Sequence, residues 1–376
     1  MIDFYNNELT RFNEKHLGLD SKKRLELMAG FVSTETSKIG WSRGLRQQFS
    51  SNKYNKLSVS KIVPSIYRPF TSQWVYFDRP LNEYIYLLPR IFPKNGVENL
   101  VIQFNAKYSN NGVPVLISNM LPDLHCNGDS QCFPLYLYDE QAQEQPDDDL
   151  FAEQGISGTG LQRRDAITDE GLAHFQEAYP DEDITKEDLF YYVYGILHSE
   201  DYRSRFADNL SKELPRIPRV KTAADFWRFS QAGRSLAELH LNFETVDKYP
   251  ATVKKKGNLT DDDYRVVKMK FSRKKNPETG KNEDDRSTVI YNEKLTVTDI
   301  PEEAWDYVVN GKPALAWVME RQAVTTHKAS GIVNDANDWA IETMGNPKYP
   351  LELLLRVITV SVETMKIVNA LPALDI

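Results

Sequence analysis

The stretch Thr185–Pro218, TKEDLFYYVYGILHSEDYRSRFADNLSKELPRIP, decides the architecture. Thr185 and Asp188 stand at capping-box spacing, so each side chain can satisfy a free backbone N–H of the other. The apolar run behind them predicts a helix over Thr185–Leu197. The preceding PDEDITK, with Asp183 three residues before Lys186, is then a capped helix start rather than an acid–lysine nuclease motif. Tyr202–Leu210 reads as a further helix, closed by Pro215. Upstream, Thr168–Ala178 begins behind a threonine cap. Downstream, Ala223–Phe243 is a long amphipathic helix with Phe226, Ala232, Leu236, Leu239 and Phe243 along one stripe.

Both flanks of this helical middle read differently. Phe4–His16 and Ser21–Ala29 have helical spacing, and from Val59 the period shortens to that of strands. Val59–Arg68, Trp74–Phe77, Tyr84–Leu88, Leu100–Phe104, Val113–Ser118 and Phe133–Tyr138 are rich in branched and aromatic residues. Asp139–Gly160 is acidic and Gly-punctuated, and reads as an interdomain linker. After Pro250 a strand is expected at Tyr264–Arg273, which alternates so that Lys268 and Lys270 share one face. A polar Lys274–Asp285 turn leads to a partner strand at Ser287–Val297. Helices at Pro301–Val308 and Pro313–Arg321 flank an Asn310–Gly311 turn. Leu351–Val368 is interrupted by Arg356, Glu363 and Lys366 and reads as a buried amphipathic helix, not a membrane span. The fold class is α+β, with β-rich N- and C-terminal regions and mixed sheets around a helical middle. At 376 residues the chain is too long for one core. The expected division is a helical lead-in at 1–60, a β-rich unit at 61–150, a helical unit at 151–250, and a hairpin with C-terminal helices at 251–376.

The formal charge of −8 argues against indiscriminate coating of a polyanion. Its distribution matters more: residues 1–100 sum to +6, residues 101–200 to −15, and residues 201–376 to +1. Thr36–Phe77 contains Lys38, Arg43, Arg46, Lys53, Lys56, Lys61 and Arg68 without a single acid, interleaved with aromatic residues. Ala251–Lys281 sets eight Lys and two Arg against four acids. A single charge run is usually a solvated face. Two runs of this kind, mixed with aromatics, point towards phosphate contact.

Chemistry is sparse by contrast. Cys126 and Cys132 exclude a disulfide scaffold and fit a reducing cytoplasm. With His125 they lack paired metal-ligand spacing, so no metal site is expected. The polar opening Met1–Arg11 carries no apolar signal segment. No phosphate loop is present, and Gly155–Gly160 (GISGTG) follows an acidic loop instead of a strand. Asn346–Tyr349 reads NPKY, a near-miss to the N-P-P-Y loop of amino-methyltransferases, and a turn leading into the helix at Leu351 explains it better. His240 is expected in the core, and His198 at the C-terminal dipole of the Leu189–Leu197 helix. No catalytic constellation emerges.

Four stretches together resemble the C-terminal part of type ISP restriction–modification enzymes and, more loosely, of type IIG enzymes. They are Val63–Phe77 (VPSIYRPFTSQWVYF), Asp188–Pro218, Leu236–Glu244 (LAELHLNFE) and Pro301–Arg321 (PEEAWDYVVNGKPALAWVMER). Such enzymes join a nuclease, a helicase-like translocase and an N6-adenine methyltransferase to a target recognition domain. The resemblance implies that this chain is that last domain. Its partners would be double-stranded DNA and the methyltransferase and helicase-like domains of the same or a partner polypeptide. AdoMet, ATP and Mg²⁺ would serve those other domains, with no cofactor in this one.

For such a role, Arg43, Arg46, Lys53, Arg68 and Lys254, Lys255 and Lys256 are the candidates for holding phosphates, with Lys268 and Lys270 along the backbone. Base reading needs forked or amide donors, as Arg has for guanine and Asn or Gln for adenine. Arg163 and Arg164 in the linker beside Gln162, and Arg273 with Asn276 in the hairpin, are candidates. Two other readings stand beside this one. One is a catalytic fragment of an AdoMet-dependent DNA adenine methyltransferase that uses Asn346–Tyr349. The other is a protein-interaction module that uses the acidic middle.

Overall fold

A computed structural model of the chain describes residues 1–105, 112–140 and 161–376. Its N-terminal helices are α1 (Ile2–His16), α2 (Ser21–Met28) and α3 (Arg43–Ser50). They close around their own core of Tyr5, Leu9, Phe12, Met28, Ile39, Leu45 and Phe49. Asp20 and Ser42 cap α2 and α3 by accepting from the Lys23 and Leu45 N–H groups. Buried Arg24 ties the helix ends together. It donates to the carbonyls of His16 at 2.8 Å and Ser50 at 2.9 Å, the C-terminal residues of α1 and α3, while its guanidinium lies over Phe12.

The β-rich region contains β1 (Ile62–Arg68), β2 (Thr71–Tyr76), β3 (Val101–Phe104), β4 (Val115–Ser118), β5 (Leu121–Pro122), β6 (Gln131–Pro134), β7 (Tyr136–Glu140) and β8 (Leu161–Asp165), with the short α4 (Leu88–Ile91) between β2 and β3. They form sheets of order β2-β1-β5 and β4-β3-β6 and the pair β7-β8. The expected strand at Tyr84–Leu88 does not form. Tyr84 and Tyr86 take left-handed φ of 58° and 40°, incompatible with a ladder, and Pro89 sits in the first turn of α4.

In the helical middle α5 (Asp169–Gln176) starts at its Thr168 cap and α6 (Lys186–His198) at the full Thr185–Asp188 capping box. Tyr202–Leu210 is not one helix. Phe206, at φ −110° and ψ 18°, divides α7 (Glu200–Arg205) from α8 (Ala207–Leu210). The long α9 (Ala223–Leu241) crosses α6 at two glycines. A Cβ on Gly195 would lie 2.2 Å from the Phe229 carbonyl, and one on Gly233 only 1.9 Å from that of Tyr191. The backbones therefore meet directly, and Tyr192 stacks on Phe226 with ring centroids 4.7 Å apart.

The C-terminal region holds β9 (Thr252–Lys255), β10 (Lys270–Lys275), β11 (Asn282–Ile290), β12 (Leu295–Thr298), β13 (Val308–Val309), β14 (Lys312–Pro313), α10 (Ala314–Arg321), β15 (Val324–Thr326), β16 (Val333–Asp335), α11 (Ala336–Glu342) and α12 (Tyr349–Asn369). The main sheet runs β10-β11-β12-β9, all antiparallel. Three expectations change here. The strand expected from Tyr264 begins only at Lys270, because the amide of Asn337 takes the N–H and carbonyl of Val266 at 2.9 and 2.8 Å and β15 takes the carbonyl of Val267. Ser287–Val297 is two strands, split at Asn292, whose side-chain oxygen accepts from the Lys294 and Leu295 N–H groups. Pro301–Val308 is a single 3₁₀ turn, Glu302–Trp305, followed by β13. The Leu351–Val368 reading holds: α12 is buried along one side, and among the described residues no helix is long and apolar enough to cross a membrane.

Candidate nucleic-acid interface

α3 is amphipathic in the useful sense. Leu45 and Phe49 enter the core, and the spacing of Arg43, Arg46 and Gln47 leaves those three on the opposite, exposed side. An open groove of about 800 Å³ beside this face is lined by Lys22, Leu25, Trp41, Arg43 and Arg46. Neighbouring grooves add Lys53 and Arg79, together with Tyr84 and Tyr86. These two tyrosines stack on each other at 6.2 Å and are 67% and 78% exposed. One acid enters the patch, Glu83, which accepts from the Gly44 N–H at 2.6 Å. Among the described residues the ion pairs of this region use other cations, Arg11, Lys23, Lys38 and Lys61. The grooves thus gather Arg43, Arg46 and Lys53 on one cationic, partly aromatic surface. They add Lys22, whose Lys22–Arg24 triplet is flanked by Asp20 and Glu26, and Arg79, between Asp78 and Pro80; neither lies in the acid-free run that marks the others.

Arg68 is placed otherwise. Its guanidinium lies on the Tyr67 ring at 4.0 Å and pairs with Asp123 at 2.6 Å, leaving the side chain 16% exposed. It cements β1 to the segment after β5 instead of facing solvent. Arg163 and Arg164 are not in a linker: both lie on β8, paired with β7. Arg164 shares Asp139 with Arg90, and Arg163 stacks on Tyr136 at 4.3 Å. The paired carboxylate is held below its usual range by Arg164 first, against the cost of burial, and by Arg90. The GISGTG stretch lies outside the described residues.

The second basic run of the sequence is divided by the sheet. Lys254 and Lys255 are on β9 and Lys256 follows it, all exposed. Lys270 and Arg273 are on β10, the opposite edge. Three strand spacings separate them, roughly 14 Å. Lys268 lies before β10, so it does not share a strand face with Lys270. Arg273 pairs with Asp284 across the hairpin. Asn276 builds the turn: its oxygen accepts from the Glu278 and Thr279 N–H groups and its amide donates to Glu283 at 2.9 Å.

The residues weighed for chemistry are structural. Tyr349 of NPKY is 4% exposed and donates to Glu244, and Asn346 organises the first turn of α12 through the Lys348 N–H and Glu352. No base could stack on that ring. His240 is buried between the Tyr194 hydroxyl at 2.6 Å and the Thr364 hydroxyl at 2.9 Å, stacked on Tyr307. His198 meets the Tyr194 carbonyl at 2.8 Å, and burial pushes its imidazole down to about 4. It therefore serves the end of α6 as a neutral N–H donor and not as a cation. Burial likewise raises both thiols, that of Cys132 to about 11. Among the described residues no group of three or more His, Cys, Asp or Glu could hold a metal ion.

Comparison with known proteins places this arrangement. No match exists among curated proteins. Among solved structures, the ATP-dependent Type ISP restriction–modification enzyme LlaBIII bound to DNA is 31% identical, with a TM-score of 0.78 over 100% of this chain and 21% of that one. A nuclease-deletion mutant of the Type ISP enzyme LlaGI, in complex with a DNA substrate mimic, is 34% identical at a TM-score of 0.77, over 100% and 26% of the two chains. The DrdV–DNA complex is 31% identical at 0.76, over 100% and 33%. The chain therefore spans between about a fifth and a third of the length of these proteins. The family model for the Type ISP C-terminal specificity domain matches residues 1–353, and the chain belongs to that family.

Proposed function

We propose that this domain binds double-stranded DNA and selects the target sequence on which a larger restriction–modification enzyme acts. The observation that carries the reading is the similarity, over the whole chain, to three proteins solved as DNA complexes. The exposed cations on α3 and at the β9 edge give it a physical basis, since Lys and Arg at phosphates release counterions and fix register. Arg43, Arg46, Lys53, Lys254, Lys255 and Lys256 are the proposed phosphate contacts. Lys268 and Lys270 are secondary ones, and Arg163 and Arg273 keep enough exposure to join them. Arg68 and Arg164, committed to Asp123 and Asp139, support the scaffold.

Adenine methylation, translocation and cleavage would be carried out by other domains, which would also hold AdoMet, ATP and Mg²⁺. The methyltransferase-fragment reading is disfavoured by the burial of Tyr349, and nothing favours a protein-interaction module. Fluorescence anisotropy with a labelled duplex at low and moderate salt tests the proposal. Binding that weakens steeply with salt supports it, and absence of duplex binding at low salt refutes it.

A further inference from the structure

The hairpin β15–β16 is a two-stranded ribbon with side chains in solvent. Thr325 pairs with Asn334 and Thr326 with Val333, and all four are exposed, Val333 at 57%. Ile332 at the tip is 50% exposed. From Arg321 to Asn334 the sequence has no acid and carries Arg321, His327 and Lys328. The next residue, Asp335, is paired with Arg265 at the root.

The ribbon is held at both ends. At the root the Val324 N–H donates to the Val267 carbonyl at 2.9 Å, on the segment clamped by Asn337. At the tip the His327 N–H donates to the Ile332 carbonyl and the Gly331 N–H to the His327 carbonyl, each at 2.8 Å. The Thr36 hydroxyl, from the N-terminal helical unit, donates to the Ala329 carbonyl at 3.0 Å. Two hydrogen-bonded ends preorganise the ribbon, which would lose little conformational freedom on binding a partner.

Between the ribbon and the β1–β2 turn lies a groove of about 240 Å³ with hydrogen-bonding walls, among them Ser72, Gln73, Gln322, Thr325 and Asn334. Ser72 and Gln322 are 8% and 4% exposed, and the Ser72 hydroxyl and the Gln322 side-chain oxygen have no hydrogen-bond partner. Such groups are uncommon in a folded chain and mark walls with unmet bonding capacity.

We infer that β15–β16 reads base edges in the major groove, with Asn334 and Thr325 as the specificity-determining side chains and Gln73 in the adjoining groove wall. The inference rests on the DNA reading above and adds the element and residues that discriminate. A major groove about 12 Å wide admits a two-stranded ribbon whose strands lie about 4.8 Å apart. An asparagine amide matches the donor–acceptor pair of adenine, and exposed aliphatic methyl groups suit the thymine methyl. None of Asn334, Thr325, Val333 and Ile332 is charged, so they offer sequence discrimination more than general affinity, while the cations of α3 and β9 set the register.

Selection by the 376-residue chain from a randomised duplex pool, followed by sequencing of the bound fraction, tests this. The wild-type chain should enrich a motif. Asn334→Ala should lose about tenfold or more of the preference at one base pair, with its affinity for a random duplex within about twofold of wild type. Thr325→Ala should relax a neighbouring position. Arg43→Ala should lower affinity and leave the motif unchanged. All three sites are exposed, so unchanged thermal unfolding is expected and separates recognition from folding. A motif identical in wild type and the Asn334→Ala, Thr325→Ala double variant overturns the inference. A wild-type chain that binds no duplex refutes the DNA reading itself, so the two failures are distinguishable.

Discussion

At the scale of single residues, a polar side chain acts through the partner within its reach. The Thr185–Asp188 capping box is written within four positions and forms as read. Arg68 reads as a surface cation until a partner fifty-five residues away, Asp123, turns it inward. Among the described residues Lys254, Lys255 and Lys256 form no ion pair, although the charge of Lys254 acts on the Asp299 carboxylate, and this leads to a prediction. Changing all three to Glu should weaken duplex binding across sequences and flatten the dependence of log K on log salt by about 0.9 per lost phosphate contact. A slope equal to that of wild type in a salt titration would remove them from the interface. The buried histidines make a second prediction. His198 is held near 4 and His240 well below its ordinary value, mainly by burial. The unfolded chain takes up protons below about pH 6.5, whereas the folded one does not until far lower, so stability is full above that pH and falls as the pH drops. From pH 7 to pH 5 His198 alone should cost roughly 2 kcal/mol, measured by denaturant unfolding at the two pH values. Equal stability at both would show that the imidazoles titrate normally.

At the scale of elements, type was readable and partnership was not. The α6 and α9 segments show their stripes, yet nothing in either segment alone reveals that Gly195 and Gly233 face each other at the crossing. Alanine at a mid-helix glycine usually stabilises by about 1 kcal/mol. Here the added Cβ would strike backbone, so Gly233→Ala should destabilise by about 2 kcal/mol or more. Thermal unfolding decides between the two signs. The strand expected from Tyr264 failed for a similar reason. Its alternation is real, but Asn337 on α11 takes the backbone of Val266 and delays the strand to Lys270. The sequence does not announce the β15–β16 ribbon because its strands, Val324–Thr326 and Val333–Asp335, are only three residues long, too short for alternation to register, and the second carries Asn334 and Asp335, which strands disfavour.

Across the whole molecule, the α+β class was visible in the change of hydrophobic period on either side of Thr185–Pro218. Charge was visible as two basic runs, but three dimensions redistribute them. Of the first, Arg43, Arg46 and Lys53 gather about α3 while Lys38, Lys61 and Arg68 pair with acids, and the second divides between opposite edges of one sheet. The total of −8 therefore coexists with local cationic surfaces. Such a domain should bind DNA with a strong salt dependence and little nonspecific retention at moderate salt, because the rest of the surface repels phosphate. Side chains such as Asn334 and Thr325 would then decide which sites survive that salt. The most direct measurement is the affinity of the 376-residue chain for a duplex motif enriched from a random pool, relative to a scrambled duplex, at 150 mM salt. A preference of about a thousandfold or more for the enriched motif is the expected result. Equal affinity for the two duplexes would contradict sequence-specific recognition by this domain.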